Sequence, residues 1–146
     1  MDDIDWKDRN QMDDIALSIL MVTYNHEKYI EDAIVSIIQQ ETEYAFELII
    51  GDDASNDTTA QIIKKYARQY PEKIHAVLRK ENLGATRNSY GILKRARGKY
   101  IAFCDGDDLW VDKYRIQKQI DFLDAHSEYS AICGKCKLID EDGKLN

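Results

Sequence analysis

The sequence predicts an α/β fold in which a mostly parallel sheet is flanked by helices, and three observations carry that expectation. Short apolar runs alternate with longer amphipathic stretches, the pattern of strands joined by helical crossovers. The first apolar run, Leu17 to Thr23, is bounded by polar residues. A polar cluster follows each of the first four runs, at the strand ends where parallel sheets gather ligand-binding loops.

Leu17 to Thr23 is apolar and reads as a buried strand. Ile30, Ala33, Ile34, Ile37 and Ile38 fall on one face of a helix that ends near Gln40. Phe46 to Ile50 is a second strand, closed by Gly51-Asp52-Asp53. Ile62, Ile63, Tyr66, Ala67 and Tyr70 form a second helical stripe, with a Thr58/Gln61 capping box at its start and Pro71 as its stop. Ile74 to Leu78 is a third strand. A third helix is expected from Ala85 to Ala96, before Gly98. Tyr100 to Cys104 is a fourth strand, and Ile116, Ile120 and Leu123 mark a fourth helix starting near Lys113. Ser130 to Ile139 reads as a further strand, with Asp142-Gly143 as a turn signal.

A chain of 146 residues with 44% hydrophobic and 32% charged residues suits one globular domain. A single Pro and seven Gly exclude collagen-like or linker-rich architecture. No apolar run is long enough for a transmembrane helix, and the first residues lack the apolar core of a secretion signal. Residues 1–15 read as an acidic, flexible leader. Six Asp against Lys7 and Arg9 give it −4 of the net −7, so the remainder is only −3. That balance argues against a nucleic-acid surface, which needs a cationic face. Cys133 and Cys136 have zinc-knuckle spacing but no second ligand pair, so the three Cys read as reduced, partly buried thiols.

Asp105-Gly106-Asp107-Asp108 is the sharpest feature. Three carboxylates this close repel one another unless a cation or a donor compensates. Carboxylate oxygens suit Mg²⁺ or Mn²⁺, and Gly106 permits a tight turn. An acidic turn capping the next helix is the competing account; position at a strand end opposite Asp52-Asp53 favours the metal. An EF-hand fails because Trp110 and Ile116 occupy the positions that need Gly and Glu. No Gly-x-Gly-x-x-Gly, P-loop or Gly-x-Ser-x-Gly pattern occurs. In Asp52-Asp53-Ala54-Ser55-Asn56-Asp57, one carboxylate could accept the N3–H of a uracil, with Asp53 the candidate. Ser55, Asn56 or Asp57 would cap the second helix. Arg87, after Asn82-Leu83-Gly84, belongs to the first turns of a helix, where phosphate is favoured. Tyr24 could stack on a base or pack under its loop. Trp110 is expected to pack the acidic turn onto the fourth helix, and His26, His75 and His126, which form no ligand spacing, read as surface or hinge residues.

Four segments stand in order: Ser18 to Asn25, Asp52 to Asp57, Asn82-Leu83-Gly84 with Arg87-Asn88, and Gly98 to Asp108. Together they resemble the N-terminal, nucleotide-sugar-binding half of glycosyltransferase family two, with its GT-A, Rossmann-like fold. Trp110 and Gln117 to Leu123 resemble a bacterial branch that builds surface polysaccharides. The resemblance runs from about Ala16 to Asp140 and implies a nucleotide-sugar-binding domain over residues 16–146. It implies inverting transfer of a sugar from a nucleotide diphosphate, often UDP, to a glycan or lipid-linked acceptor. Asp107 matches the direct metal ligand (Mn²⁺ or Mg²⁺), and Asp105 the residue that reaches ribose or metal-bound water. Asp53 matches the base-reading Asp with Asp52 beside it; Val22, Tyr24 and Glu27 match the lining of the base pocket, and Arg87 the pyrophosphate contact. Asn82 belongs to the same nucleotide-binding set.

The resemblance has three departures: Val22 where the family often has Pro, Ala54 where it has Gly, and no residue matching the general base. That base is expected beyond Asn146, so the chain reads as a truncated donor-binding part that binds nucleotide without completing transfer. The resemblance further implies a cytoplasmic location with peripheral contact at the inner face of the membrane, and a sheet edge left exposed by truncation would favour a homodimer. A non-catalytic nucleotide-binding module is the first alternative. A sugar-phosphate nucleotidyltransferase is the second, although Tyr24-Asn25-His26-Glu27-Lys28 lacks the Gly-rich basic loop that class expects.

Overall fold

Strands that are apolar on both faces must be covered on both faces, and the described residues of the computed structural model, 15–140 and 144, achieve this with three layers. The elements run β1 (Leu17–Thr23), α1 (Ile30–Ile38), β2 (Phe46–Asp52), α2 (Thr59–Gln69), β3 (Ile74–Leu78), α3 (Ala85–Leu93), β4 (Tyr100–Phe103) and α4 (Arg115–Ala125). All pairings are parallel, in the order β3-β2-β1-β4. The chain steps outward from β1 to β3, then returns past both to place β4 on the other side of β1. That reversal is the switch point of an open α/β sheet, and it lies at β1 and β4.

Alternation along each strand divides the core. Ile19, Met21, Leu48 and Ile50 face Ile30, Ile34 and Ile37 of α1, Ile63 of α2, and Ile116 and Ile120 of α4. Leu20, Ile49 and Val77 face Ile92 of α3 on the opposite side. Gly51 is the point where α3 lies closest: a Cβ there would meet Asn88 Oδ1 at 2.6 Å and Ile92 Cγ2 at 2.9 Å. Trp110, 7% exposed, is part of the first core, with the Arg115 guanidinium 4.3 Å over its ring. The expected packing of the acidic turn against α4 is thus present.

The structure departs from the sequence reading in several places. α3 ends at Leu93 rather than Ala96, because Arg95 and Ala96 donate to Ile92 and Leu93 in a tightened last turn. The Thr58/Gln61 capping box is not formed; Asp57 Oδ1 accepts the Thr59 N–H at 2.9 Å instead. The strand expected over Ser130–Ile139 is absent: Ile139 makes one isolated bridge, and residues 130–140 are exposed, Leu138 by 73%. Among the described residues these find no sheet edge to pair with, and an apolar alternation without a partner strand does not hold an extended form. The leader, apart from Ile15, and the Asp142-Gly143 turn lie outside the described residues. Cys104 is buried, which pushes its thiol up to about 12 with help from Asp108, whereas Cys133 and Cys136 are exposed rather than partly buried.

One buried charge anchors the end of the sheet away from the strand tips. Glu47, 1% exposed, accepts the Ser18 hydroxyl at 2.7 Å and the Arg97 N–H at 2.9 Å. Arg97 Nη2 and Nε reach its other oxygen at 2.7 and 3.0 Å, and His75 Nε2 lies 3.3 Å from it. His75, read as a surface or hinge residue, therefore belongs to a half-buried polar cluster. Burial raises the Glu47 carboxyl, but the bonds from His75, Arg97 and Ser18 outweigh it and bring it down to about 2.

A carboxylate lowered on folding stabilises the native state above its unfolded pKa, and that contribution is lost as pH falls toward the folded value. Glu47 is expected to supply about 3 kcal/mol at neutral pH, lost between about pH 4.5 and 2. Urea melts from pH 7 to 2.5 check this: Glu47→Gln lowers stability at pH 7 by about 3 kcal/mol and flattens the acid limb.

Candidate functional site at the strand tips

The loops after β1 and β2 hydrogen-bond to each other in both directions. The Asn25 N–H donates to Ser55 Oγ at 2.9 Å, and the Asn56 N–H returns a bond to Asn25 Oδ1 at 2.8 Å. The His26 N–H donates to Thr59 Oγ1 at 2.9 Å, and the Glu27 N–H to Asp57 Oδ2 at 3.1 Å. Glu27 Oε2 accepts both the N–H and the hydroxyl of Thr58, at 3.0 and 2.9 Å. Glu27 therefore serves the start of α2, and Tyr24, 42% exposed, lies above β1. Burial raises the Asp57 carboxyl, but its bonds from Thr59 and Glu27 outweigh that and hold it below the usual carboxylate range. Among the described residues, the two with positive φ outside glycine, Asn25 at 57° and Ala54 at 64°, sit in these loops.

Asp52 and Asp53 are both buried, 2% and 3% exposed. Asp52 accepts the Ser55 N–H at 3.2 Å and a short bond from the Ser55 hydroxyl. Asp53 reaches across to the loop before α3: Oδ1 accepts the Leu83 N–H and Oδ2 the Gly84 N–H, each at 2.8 Å. Asn82 Oδ1 shares the Gly84 N–H at 3.1 Å. Arg87 is exposed in the first turn of α3, as its position predicts, and its guanidinium makes no ion pair with a described residue. Its neighbour Asn88 is buried, donating Nδ2 to Gly51 O at 2.7 Å and accepting Arg79 Nε at 3.3 Å. A polar residue one helical turn before Ile92, on the inward face, was the only sequence signal for that role.

The acidic turn sits directly on β1. The Gly106 N–H donates to Val22 O at 3.0 Å, and the Cys104 N–H to Leu20 O at 3.1 Å. A Cβ on Gly106 would meet Thr23 Oγ1 at 2.6 Å and His26 Nδ1 at 2.9 Å, so a larger residue there would have to displace one of these side chains. Partial burial, then the charges of Asp108 and Asp107, push the Asp105 carboxyl up, and His26 pulls it back in part. The residue as a whole nonetheless keeps an exposed surface. Asp107, with half its side chain exposed, lies 3.9 Å from His26 Nε2, a neighbour that ligand spacing could not reveal. Among the described residues no three His, Cys, Asp or Glu side chains converge to hold an ion by themselves.

The expected residues thus gather at one edge: Val22, Tyr24 and Glu27 on the first loop, Asp52 and Asp53 on the second, Asn82 and Arg87 on the third, and Asp105 and Asp107 on the fourth. Two consequences are measurable. Ala54 holds a left-handed conformation that disfavours a Cβ, so Ala54→Gly is expected to stabilise the chain by about 1 kcal/mol in urea melts. Asp53→Asn turns an NH₂ toward a backbone N–H and is expected to cost about 1–3 kcal/mol in the same assay.

The model of the glycosyl transferase family 2 family matches residues 18–145. An uncharacterized protein of Mycobacterium tuberculosis is 42% identical over 127 residues, which are 87% of this chain and 37% of that protein. The minor teichoic acid biosynthesis protein GgaB of Bacillus subtilis is 40% identical over 111 residues, 75% of this chain and 12% of its own. Among solved structures, residues 1–349 of TarS from Staphylococcus aureus in complex with UDP superpose with a TM-score of 0.68 at 30% identity, covering 77% of this chain and 33% of that one. The chain thus spans well under half the length of these relatives. By the family match and by the GT-A arrangement of its sheet, the chain belongs to glycosyl transferase family 2.

Proposed function

We propose that residues 16–146 are the donor-binding part of an inverting glycosyltransferase that takes a sugar from a nucleoside diphosphate, UDP, to a glycan or lipid-linked acceptor of a bacterial surface polysaccharide. The observation that carries this reading is the acidic turn seated on the tip of β1, at the switch point of the sheet. Support for the nucleotide comes from the TarS structures, which hold UDP in one case and UDP-GlcNAc in another. A sugar-phosphate nucleotidyltransferase has no comparable support.

The carboxylates of the turn fit a hard divalent cation, Mn²⁺ or Mg²⁺. Their donors are all oxygens, burial and then the charges of Asp108 and Asp107 raise Asp105, and among the described residues they hold no side-chain bond within the turn. Asp107 and Asp105 would hold the ion. When bound, it offsets the charge gathering on the departing diphosphate. Arg87, exposed at the start of α3 and without an ion pair among the described residues, would meet the pyrophosphate. Asp53 keeps lone pairs beyond those given to Leu83 and Gly84, and with Asp52, Val22, Tyr24 and Glu27 it frames the base; Asn82 holds the loop beside it.

The general base that deprotonates the acceptor hydroxyl belongs to a part of the enzyme other than the residues described. The outer edge of β4, where Phe103 is 59% exposed, supports pairing with further chain or with a second copy. Peripheral contact with the inner membrane face belongs to the same reading; among the described residues no helix is long and apolar enough to cross a membrane.

Calorimetric titration of UDP, GDP and dTDP, with and without Mn²⁺, tests the site. UDP is expected to bind best, to require Mn²⁺, and to weaken about tenfold or more in Asp107→Ala. Equal affinity in chelator, or in that variant, overturns the assignment.

A further inference from the structure

In the loop after β1, Asn25 and Glu27 spend their side chains on the neighbouring loop; His26 does not. Its backbone N–H goes to Thr59 Oγ1, which holds the loop without help from the ring. The imidazole turns toward the acidic turn. Nε2 lies 3.9 Å from Asp107 Oδ2, and Nδ1 is enclosed with no hydrogen-bond partner. Thr23 Oγ1, on a residue 3% exposed, is enclosed and unpartnered as well. The two atoms face one spot, the space a Cβ on Gly106 would fill.

Asp107 needs what this arrangement supplies. It occupies a turn fixed through its backbone, its side chain is 52% exposed, and His26 is its only ion-pair neighbour among the described residues. A ligating carboxylate that swings between rotamers gives up affinity, which is why metal-binding carboxylates are themselves hydrogen-bonded from outside. Nδ1 is enclosed against Thr23 and Gly106, which leaves Nε2 as the ring nitrogen that faces Asp107.

We infer that His26 is a positioning residue for the metal ligand Asp107, its ring turned by Thr23 and Gly106 so that Nε2–H aims at Oδ2. The inference rests on the metal-dependent reading of the acidic turn. In this role His26 selects the Asp107 rotamer that faces the cation.

The test is Mn²⁺ titration of the full chain at saturating UDP, followed by the electron paramagnetic resonance of free Mn²⁺. The set is wild type, His26→Ala, the bulkier His26→Leu, His26→Gln and Asp107→Ala. Removing the ring's donor is expected to weaken Mn²⁺ binding about 10- to 100-fold in the Ala and Leu variants. His26→Gln, which restores an N–H, recovers most of that loss. Metal-free melting temperatures of the His26 variants stay within about 2 °C of wild type. If His26→Ala fails to fold, His26→Leu gives the same reading. Wild-type Mn²⁺ affinity in His26→Leu, with binding abolished in Asp107→Ala, overturns the positioning role alone. Wild-type affinity in Asp107→Ala removes the metal reading beneath it.

Discussion

Parallel pairing is the constraint on which the rest of the structure depends. With all four strands running one way, every carboxyl end opens on the same edge, and the backbone groups there have no ladder to enter. Each loop solves this by bonding to its neighbour. The loop after β1 exchanges bonds with the loop after β2, Asp53 carries the second loop to the third, and Gly106 brings the fourth back to β1. The site is therefore a closed set of mutual supports rather than four independent loops. A substitution in one is transmitted to the next through an identifiable bond.

The opposite end of the sheet meets a different demand. There the face under α3 buries Glu47, an ion that would be costly without partners. Ser18, Arg97 and His75 surround it, and Arg97 lies in the segment between α3 and β4. One carboxylate thus ties β1, β2 and β3 to the connection that carries the chain across to β4. The switch point depends on that crossover, so the buried ion pair at one end helps set the register of the acidic turn at the other.

Much of this was legible in the sequence, for reasons that differ by element. The four helices and first four strands follow from periodicity because each has one apolar face or two, and burial dictates the pattern. The stretch after α4 has the same alternation without a partner edge, and sequence carries no record of what lies beside it. Candidate residues at the strand tips could be placed because topology alone brings them together. Their bonds could not be: whether Glu27 faces a ligand or the N–H of Thr58 depends on loop geometry, which Asn25 and Ala54 set through left-handed conformations that residues other than glycine seldom announce. Asn88 and His26 were hidden for the same reason, since each acts through a contact distant in sequence.

The carboxylates at the tips divide by what they already hold. Asp52, Asp53 and Asp57 each accept hydrogen bonds from the loops they join. Asp105, Asp107 and Asp108 are placed otherwise: the Gly106 N–H bonds to Val22, the Asp108 N–H bonds to Asp105, and Trp110 is anchored in the core. Backbone and aromatic contacts carry the turn, and its carboxyl groups accept no hydrogen bond within it; burial first, and then the charges of Asp108 and Asp107, raise Asp105. A fold that needed those charges only for stability would have paired them, as it paired Glu47. At the switch point the three carboxylates of the turn are met only by the His26 ring, 3.9 Å from Asp107, among the described residues, so their mutual repulsion is left largely uncompensated. That asymmetry separates the carboxylates that hold the loops together from those that the loops hold in place.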